Sequence, residues 1–381
     1  MRQLKRIVRR IYPFDRLLQQ RDEALARAAA LERERDVALS RLADVSEDCL
    51  DPSGPDAEAL KHRLLRFDTA SLASSTSFST TPLELTDHFR SYFRDVLLST
   101  FYRDLPTDLL TNPAVETGIA EHLDGRYLVF AQHMIPWILQ ARGDLSDCVA
   151  LEIGSGTGAS TLAFAPHVRE AICFEIDEVA TEAARQRLAY FGLRNVTHCG
   201  ELFGPDCDFV ASGRKADLIV LCAVLEHMSY EELITALRTA WNTLAPGGLL
   251  VVADTPNRFA IVDHHTSLLP YYSALPYEIM VDYARRFSPR AEFAAALESD
   301  SPDGPRHTVV RWGRGISYHE FELAIGPEVH DRVILDGYEP LICAATPPTL
   351  GDALLRLAFH YHGIAAHRAF TRSNLYFVLQ K

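Results

Sequence analysis

Val149-Ala-Leu-Glu-Ile-Gly-Ser-Gly-Thr-Gly-Ala-Ser-Thr161 decides how this chain is read. A short apolar run ends in three glycines at alternate positions, Gly154, Gly156 and Gly158, and helix-compatible residues follow at once. The pattern predicts a buried strand, a tight turn and a helix start. Glycine suits such a turn because it tolerates positive φ and lets the backbone approach a ligand. The N–H groups of the first helical turn then face that ligand. Two ligand classes fit. Gly154-x-Gly156-x-x-Ala159 satisfies the fingerprint of dinucleotide sites. The additional Gly158 and the acid Glu152 favour a cationic ligand: a carboxylate beside the turn repels a pyrophosphate but attracts the sulfonium and ammonium of S-adenosylmethionine.

At 381 residues the chain is long enough for a large domain with additions, or for two domains. A hydrophobic content of 48% and a charged content of 23% are those of an ordinary globular protein. The net charge of −13 argues against nucleic acid as the main partner, because phosphate binding needs a basic face. Seven cysteines are scattered, without a CxxC pair or zinc-like spacing, and read as buried thiols of a reducing compartment. The basic N-terminus lacks the apolar core of a signal peptide, and no apolar run reaches spanning length. A cytoplasmic protein is expected.

Residues 1–43 open with a basic amphipathic segment. Leu4, Ile7, Val8 and Ile11 can share a helix face, with Lys5, Arg6, Arg9 and Arg10 around it. Residues 1–14 are therefore a candidate for peripheral contact with the inner membrane surface, with protein docking as the alternative. Leu17, Ala24, Leu31 and Ala38 then recur every seven residues, while Arg21 and Arg35 interrupt the complementary row. A long helix is expected, able to support a coiled-coil homo-oligomer. Residues 44–82 read as linker, with Asp51-Pro-Ser-Gly-Pro55 and a Ser/Thr-rich stretch. Residues 83–145 read as a helical preface, in which Tyr127 and His133 are candidate lid contacts or packing residues.

From 148 the pattern alternates. Strands are predicted over 149–153, 171–176, 196–199, 217–222 and 249–253, and helices over 159–165, 178–191 and 230–244. Apolar strands alternating with helices make a parallel sheet covered on both faces. Ligands of such sheets sit at the carboxyl ends of the strands, where Glu175 and Glu201 fall.

Residues 146–258 resemble class I S-adenosylmethionine-dependent methyltransferases. The resemblance rests on the order and spacing of Leu151-Glu-Ile-Gly-Ser-Gly-Thr-Gly158, Cys173-Phe-Glu-Ile-Asp177, Ala216-Asp-Leu-Ile-Val220, Val224-Leu-Glu-His227, Leu244-Ala-Pro-Gly-Gly248 and Thr255-Pro-Asn-Arg258. Residues 373–381 resemble that fold's last strand. The implied fold is α/β: a Rossmann-like sandwich with a mostly parallel seven-stranded sheet, its last strand antiparallel, here with an N-terminal helical extension. The implied cofactor is S-adenosyl-L-methionine. Gly154, Ser155, Gly156, Thr157 and Gly158 would wrap its methionine part, with Glu152 near the ammonium. Glu175, beside Ile176, would accept from both ribose hydroxyls, with Asp177 as an alternative holder. Glu201 and Leu202 would sit by the adenine, and Cys222 and Ala223 under the cofactor. Where this family has Asp at the positions of Glu175 and Glu201, this chain has the longer Glu.

Residues 259–345 read as an acceptor-binding insertion with further core elements, and 346–381 as a C-terminal helix and strand. Asp263-His264-His265 and the aromatic residues that follow put titratable groups just past strand five. His265 or His264 is a candidate to take the proton of a hydroxyl acceptor, and His227 after strand four is a third candidate. No metal is expected of Asp263-His264-His265, because adjacent residues seldom ligate one ion together. Trp312, Tyr318, His319 and Glu320 are candidate acceptor-pocket residues, whereas His360, His362 and His367 do not share one face and read as non-ligands. The expected activity is O-methylation of a hydroxyl on a saccharide or lipid-linked glycan. Small-molecule natural-product methylation and a non-catalytic scaffold are the alternatives.

Overall fold

The computed structural model describes residues 80–103, 113–298 and 304–381. The basic N-terminal segment, the heptad stretch and nearly all of the 44–82 linker lie outside the described residues. The described residues divide into two compact units, one within residues 90–125 and the other made of residues 80–89 with those from 126 onward.

In the first unit, a helix at Pro113–Ala120 runs into a π-helical turn, Glu121–Gly125. Arg90 pairs with Asp124 at 2.9 Å, Arg94 pairs with Glu116, and Phe101 packs on His122. The helical preface predicted over 83–145 is present as α1 (Asp87–Ser99), the pieces from Pro113 onward, and α2 (Ile135–Arg142).

The second unit is built on a seven-stranded sheet. Its elements in chain order are β1 (Val149–Ile153), α3 (Ala159–Phe164), β2 (Glu170–Phe174), α4 (Glu178–Tyr190), β3 (Val196–Cys199), β4 (Ala216–Cys222), α5 (Tyr230–Thr243) and β5 (Leu244–Pro256). There follow α6 (Tyr277–Phe287), α7 (Ala291–Glu298), α8 (Gly304–Trp312), α9 (Tyr318–Ile325), β6 (Val333–Leu335), α10 (Leu350–Tyr361) and β7 (Asn374–Gln380). The strand order is β3-β2-β1-β4-β5-β7-β6. β1 pairs in parallel with both β2 and β4, and β7 runs antiparallel between β5 and β6.

The central strands are continuous apolar runs because both faces are covered. Leu218, Ile219, Val220 and Leu221 of β4 and Leu249, Leu250, Val251 and Val252 of β5 are all fully buried. Each such side chain contributes roughly 1.5–3 kcal/mol of burial. α5 covers this core with Leu233, Ala236, Leu237 and Ala240. Its start is fixed by a capping box, in which Ser229 Oγ accepts from the Glu232 N–H and Glu232 Oε2 accepts from the Ser229 N–H at 2.7 Å.

Two sequence expectations are corrected here. β5 is longer than 249–253, because Pro246-Gly247-Gly248 turns the chain without leaving the sheet and Leu244 already pairs with Ala216. β6 went unseen, since three residues following a 3-10 turn carry no readable period.

Candidate cofactor and active site

The glycine loop lies between the carboxyl end of β1 and the start of α3. Gly154, Gly156 and Gly158 all adopt positive φ, at 78°, 52° and 75°. Their reasons differ. A Cβ on Gly154 would meet Val224 at 2.6 Å, and one on Gly158 would meet Ala184 at 2.9 Å, so both serve close packing. A Cβ on Gly156 would meet nothing within 4 Å. That open side is where a ligand can approach the backbone. Ser155 Oγ is buried with no hydrogen-bond partner, a group a ligand would complete.

Glu152 does not present a free carboxylate to an ammonium, as the sequence reading expected. It is 1% exposed, and its two oxygens accept from the hydroxyls of Ser160 and Thr161, tying β1 to α3. Burial pushes its pKa up to about 7, against the pull of those two hydroxyls. Glu175 is placed as expected, at the end of β2 against the loop. Its Oε2 accepts from the Gly156 N–H at 2.9 Å and its Oε1 from the Asp177 N–H at 2.8 Å. Each oxygen keeps a lone pair for a ribose hydroxyl. Burial raises its pKa, and the backbone N–H groups oppose that. Asp177 is not an alternative holder: it caps α4, accepting from the Val179 N–H.

Glu201 follows β3 and accepts from the Asp208 N–H at 3.3 Å. Ile176 and Leu202, apolar residues just past β2 and β3, are 62% and 55% exposed. Such surfaces suit the faces of a flat base. The open Gly156, the unanswered Ser155 hydroxyl, the double acceptor Glu175 and these two apolar side chains together fit S-adenosylmethionine.

Beyond β4 the backbone is strained. Ala223, just past β4, and Asp254, at the irregularity of β5 between Val252 and Thr255, have φ of 48° and 50°, which non-glycine residues rarely adopt. Cys222 is buried, its thiol pushed up to about 12 by desolvation. Val224 packs on the glycine loop, and the 3-10 turn Leu225–His227 follows. Here Glu226 is 1% exposed and neither carboxylate oxygen has a hydrogen-bond partner. Its Oε1 lies 3.7 Å from His265 Nε2 and 3.9 Å from His227 Nε2. Burial pushes Glu226 up to about 8, with Asp254 adding to the rise. Burial also drives the His265 imidazole down to about 4, assisted by Arg290 and Arg126. Glu226 was not singled out in the sequence as a site residue. The acid next to His227 in Val224-Leu-Glu-His227 was the available signal.

Other candidates go elsewhere. Asp263 is consumed by its own turn: Oδ1 accepts from the His265 and Thr266 N–H groups, and Oδ2 from Ser267. His264 is exposed and stays out of the cluster. Tyr318 packs among Phe259, Phe359 and Phe370, with His319 stacked on it at 4.0 Å. Glu320 pairs with Arg258, and Trp312 packs on Phe293. Of these four, Trp312 and Tyr318 pack against the core, Glu320 is buried in its ion pair, and His319 is exposed. Tyr127 is buried and donates to Leu83 O, and His133 bonds Leu341 O, so both are packing residues. His360 and His362 are exposed, and His367 Nδ1 accepts from the Ala369 N–H.

The family profile described as "Methyltransferase domain" matches residues 151–250. No curated protein matches the sequence. Among solved structures, an S-adenosylmethionine-dependent methyltransferase from Clostridium acetobutylicum is 18% identical, over 40% of this chain and 61% of that one, at a TM-score of 0.33. An amino pentose methyltransferase from Micromonospora echinaspora is 26% identical, over 35% and 49%, at 0.25. The N-methyltransferase NodS from Bradyrhizobium japonicum is 25% identical, over 42% and 71%, at 0.28. The chain spans about three fifths of the first of these structures. With the profile match falling on the glycine loop and on strands of a sheet of order 3-2-1-4-5-7-6, residues 151–250 form a methyltransferase domain, and its cofactor is S-adenosylmethionine.

Proposed function

We propose that the protein methylates a hydroxyl group of a saccharide or lipid-linked glycan. The observation that carries this reading is the convergence of Glu226, His227 and His265 beyond β4, next to the glycine loop. An amine acceptor in its neutral form needs no proton removed before attack, whereas a hydroxyl must shed one as it attacks. S-adenosylmethionine, when bound, supplies an electrophilic methyl group on its sulfonium. The protein's contribution is to bind, orient and accept a proton. The loop at 154–158 and Glu175 hold the cofactor side. The lone pair of His265 Nε2 faces Glu226 in a buried setting that keeps the ring neutral.

A polyhydroxylated acceptor is favoured by two further groups. Tyr272 OH and Arg314 Nε are both buried without a hydrogen-bond partner. The Arg314 N–H donates to Glu226 O at 2.9 Å, which places that residue against the cluster. Sugar hydroxyls would answer such atoms, and a plain aromatic acceptor would leave them empty.

The test is product identification. Full-length protein with S-adenosylmethionine is offered glycosides, glycolipids and phenolic small molecules, and the products are read by mass spectrometry alongside release of S-adenosylhomocysteine. A 14 Da gain on a sugar hydroxyl is expected. Methylation confined to amines or phenols would refute the acceptor class. A thermal shift with NAD and none with S-adenosylmethionine would refute the cofactor too.

A further inference from the structure

We propose that Glu226, His227 and His265 form a binding site for a divalent transition-series cation or zinc. Among the described residues, one ligand atom from each of these three lies within 4.8 Å of the others. The surroundings fix how each group points. His227 Nδ1 lies 3.2 Å from Arg311 O, and a carbonyl can only accept, so Nδ1 carries the proton and the lone pair is on Nε2. His265 Nδ1 lies 3.0 Å from Thr266 Oγ1, whose own proton goes to Gly313 O at 2.6 Å. That hydroxyl therefore accepts from His265, and the lone pair is again on Nε2. Both Nε2 atoms face Glu226 Oε1, at 3.9 and 3.7 Å.

Once the Glu226 carboxyl gives up its proton, three lone-pair donors point at one another. In a buried place such an arrangement is unfavourable until a cation sits among them. Holding the far imidazole nitrogen on a carbonyl or hydroxyl is also how proteins orient metal-binding histidines. Gly313 makes room for it. Its φ is 110°, and a Cβ there would lie 2.4 Å from His265 Cε1 and 3.3 Å from His227 Cε1. Ligands around an ion at about 2.1 Å stand roughly 3.0–3.4 Å apart, so inward shifts of about half an ångström close the shell.

The donor set selects the ion. Two imidazoles and one carboxylate suit zinc, iron(II), cobalt(II) or manganese(II), and leave positions open. Magnesium and calcium prefer all-oxygen shells. With an ion bound, the His265 Nε2 lone pair is spent on it, and an acceptor hydroxyl entering an open position would lose its proton through the ion instead; the ion's chemical use rests on the methyl-transfer reading, while its binding does not.

Full-length protein stripped with chelator is titrated with Co²⁺ by calorimetry and visible absorption. One ion per chain is expected, with two hyperfine-shifted exchangeable Nδ1–H resonances in the proton NMR spectrum and no displacement by millimolar Mg²⁺. Glu226→Gln and His265→Ala should each weaken binding at least about 100-fold, and Thr266→Val by about 10–100-fold. Stoichiometric binding that survives both ligand substitutions, or no Co²⁺ binding by wild-type protein, overturns the site. S-adenosylmethionine affinity is measured on the same samples. Its retention without Co²⁺ binding sinks the metal site alone. Its absence in wild-type protein sinks the methyl-transfer reading and leaves the metal result standing.

Discussion

At the carboxyl ends of β1 and β2 the carboxylates of the loop are answered from within the β1–α4 stretch. Glu152 is answered by Ser160 and Thr161, Glu175 by Gly156 and Asp177, and Asp177 by Val179. Past β4 the reverse holds. Glu226 is buried with neither oxygen answered, and the groups around it come from loops far along the chain, at 263–266 and 311–314. The first region is finished as folded and waits only for a ligand's surface. The second is held in an incomplete state by distant packing, as sites of chemistry commonly are. Binding and reaction are therefore expected to respond to different mutations.

The largest effect should come from the unanswered region. His265→Ala is expected to lower the rate of S-adenosylhomocysteine release by about 100-fold or more while leaving the dissociation constant for S-adenosylmethionine nearly unchanged. A variant that lost cofactor affinity in step with turnover would break the separation between the regions.

A smaller effect concerns Glu152, whose role is structural. Its carboxyl titrates near 4.5 in the free chain and near 7 when folded. The fold therefore favours the protonated form. That stabilisation is complete below about pH 4.5 and is lost as pH rises through about 7, a change on the order of 3 kcal/mol. Thermal unfolding of wild-type protein should lose more stability across this window than Glu152→Gln does. Parallel curves for the two proteins would mean that the carboxyl is not held neutral.

The smallest of the three sharpens the cofactor side. Glu175→Gln keeps the shape but gives up a charged double acceptor, worth roughly 1.5–3 kcal/mol. S-adenosylmethionine should bind about 10–100-fold more weakly by calorimetry, with some loss of unfolding midpoint because the Gln amide nitrogen must face the Gly156 or the Asp177 N–H. Full retention of affinity would remove Glu175 from the ribose.

The same contrast explains what the sequence could say. The strands, the loop and Glu175 were legible because their determinants are local: an apolar run, three glycines, an acid at a strand end. Glu152 was misjudged because its partners lie one turn into α3, and only the folded loop shows that their hydroxyls claim it. The cluster was half legible. His227 and His265 were singled out as proton acceptors, but Glu226 between them was not, since no spacing rule links residues joined only by tertiary packing, here of α8 against the Leu225–His227 turn. There Arg311 pairs with Glu232 at 2.7 Å and also donates to His227 O. Metal ligands were weighed in sequence only within one run, Asp263-His264-His265, whereas the groups that meet come from two separate segments, Glu226-His227 and His265. Trp312 and Tyr318 show the opposite error, since aromatic residues singled out together pack against the core.

β7 carries a consequence for synthesis. It is an inner strand, yet it is made from residues 374–380, after every other strand of the sheet. Until those residues leave the ribosome, the fully apolar row Leu249–Val252 on β5 has an open edge and β6 has nothing to pair with. A nascent or prematurely terminated chain would offer that edge to any other extended segment, the circumstance in which chains assemble with one another instead of completing themselves.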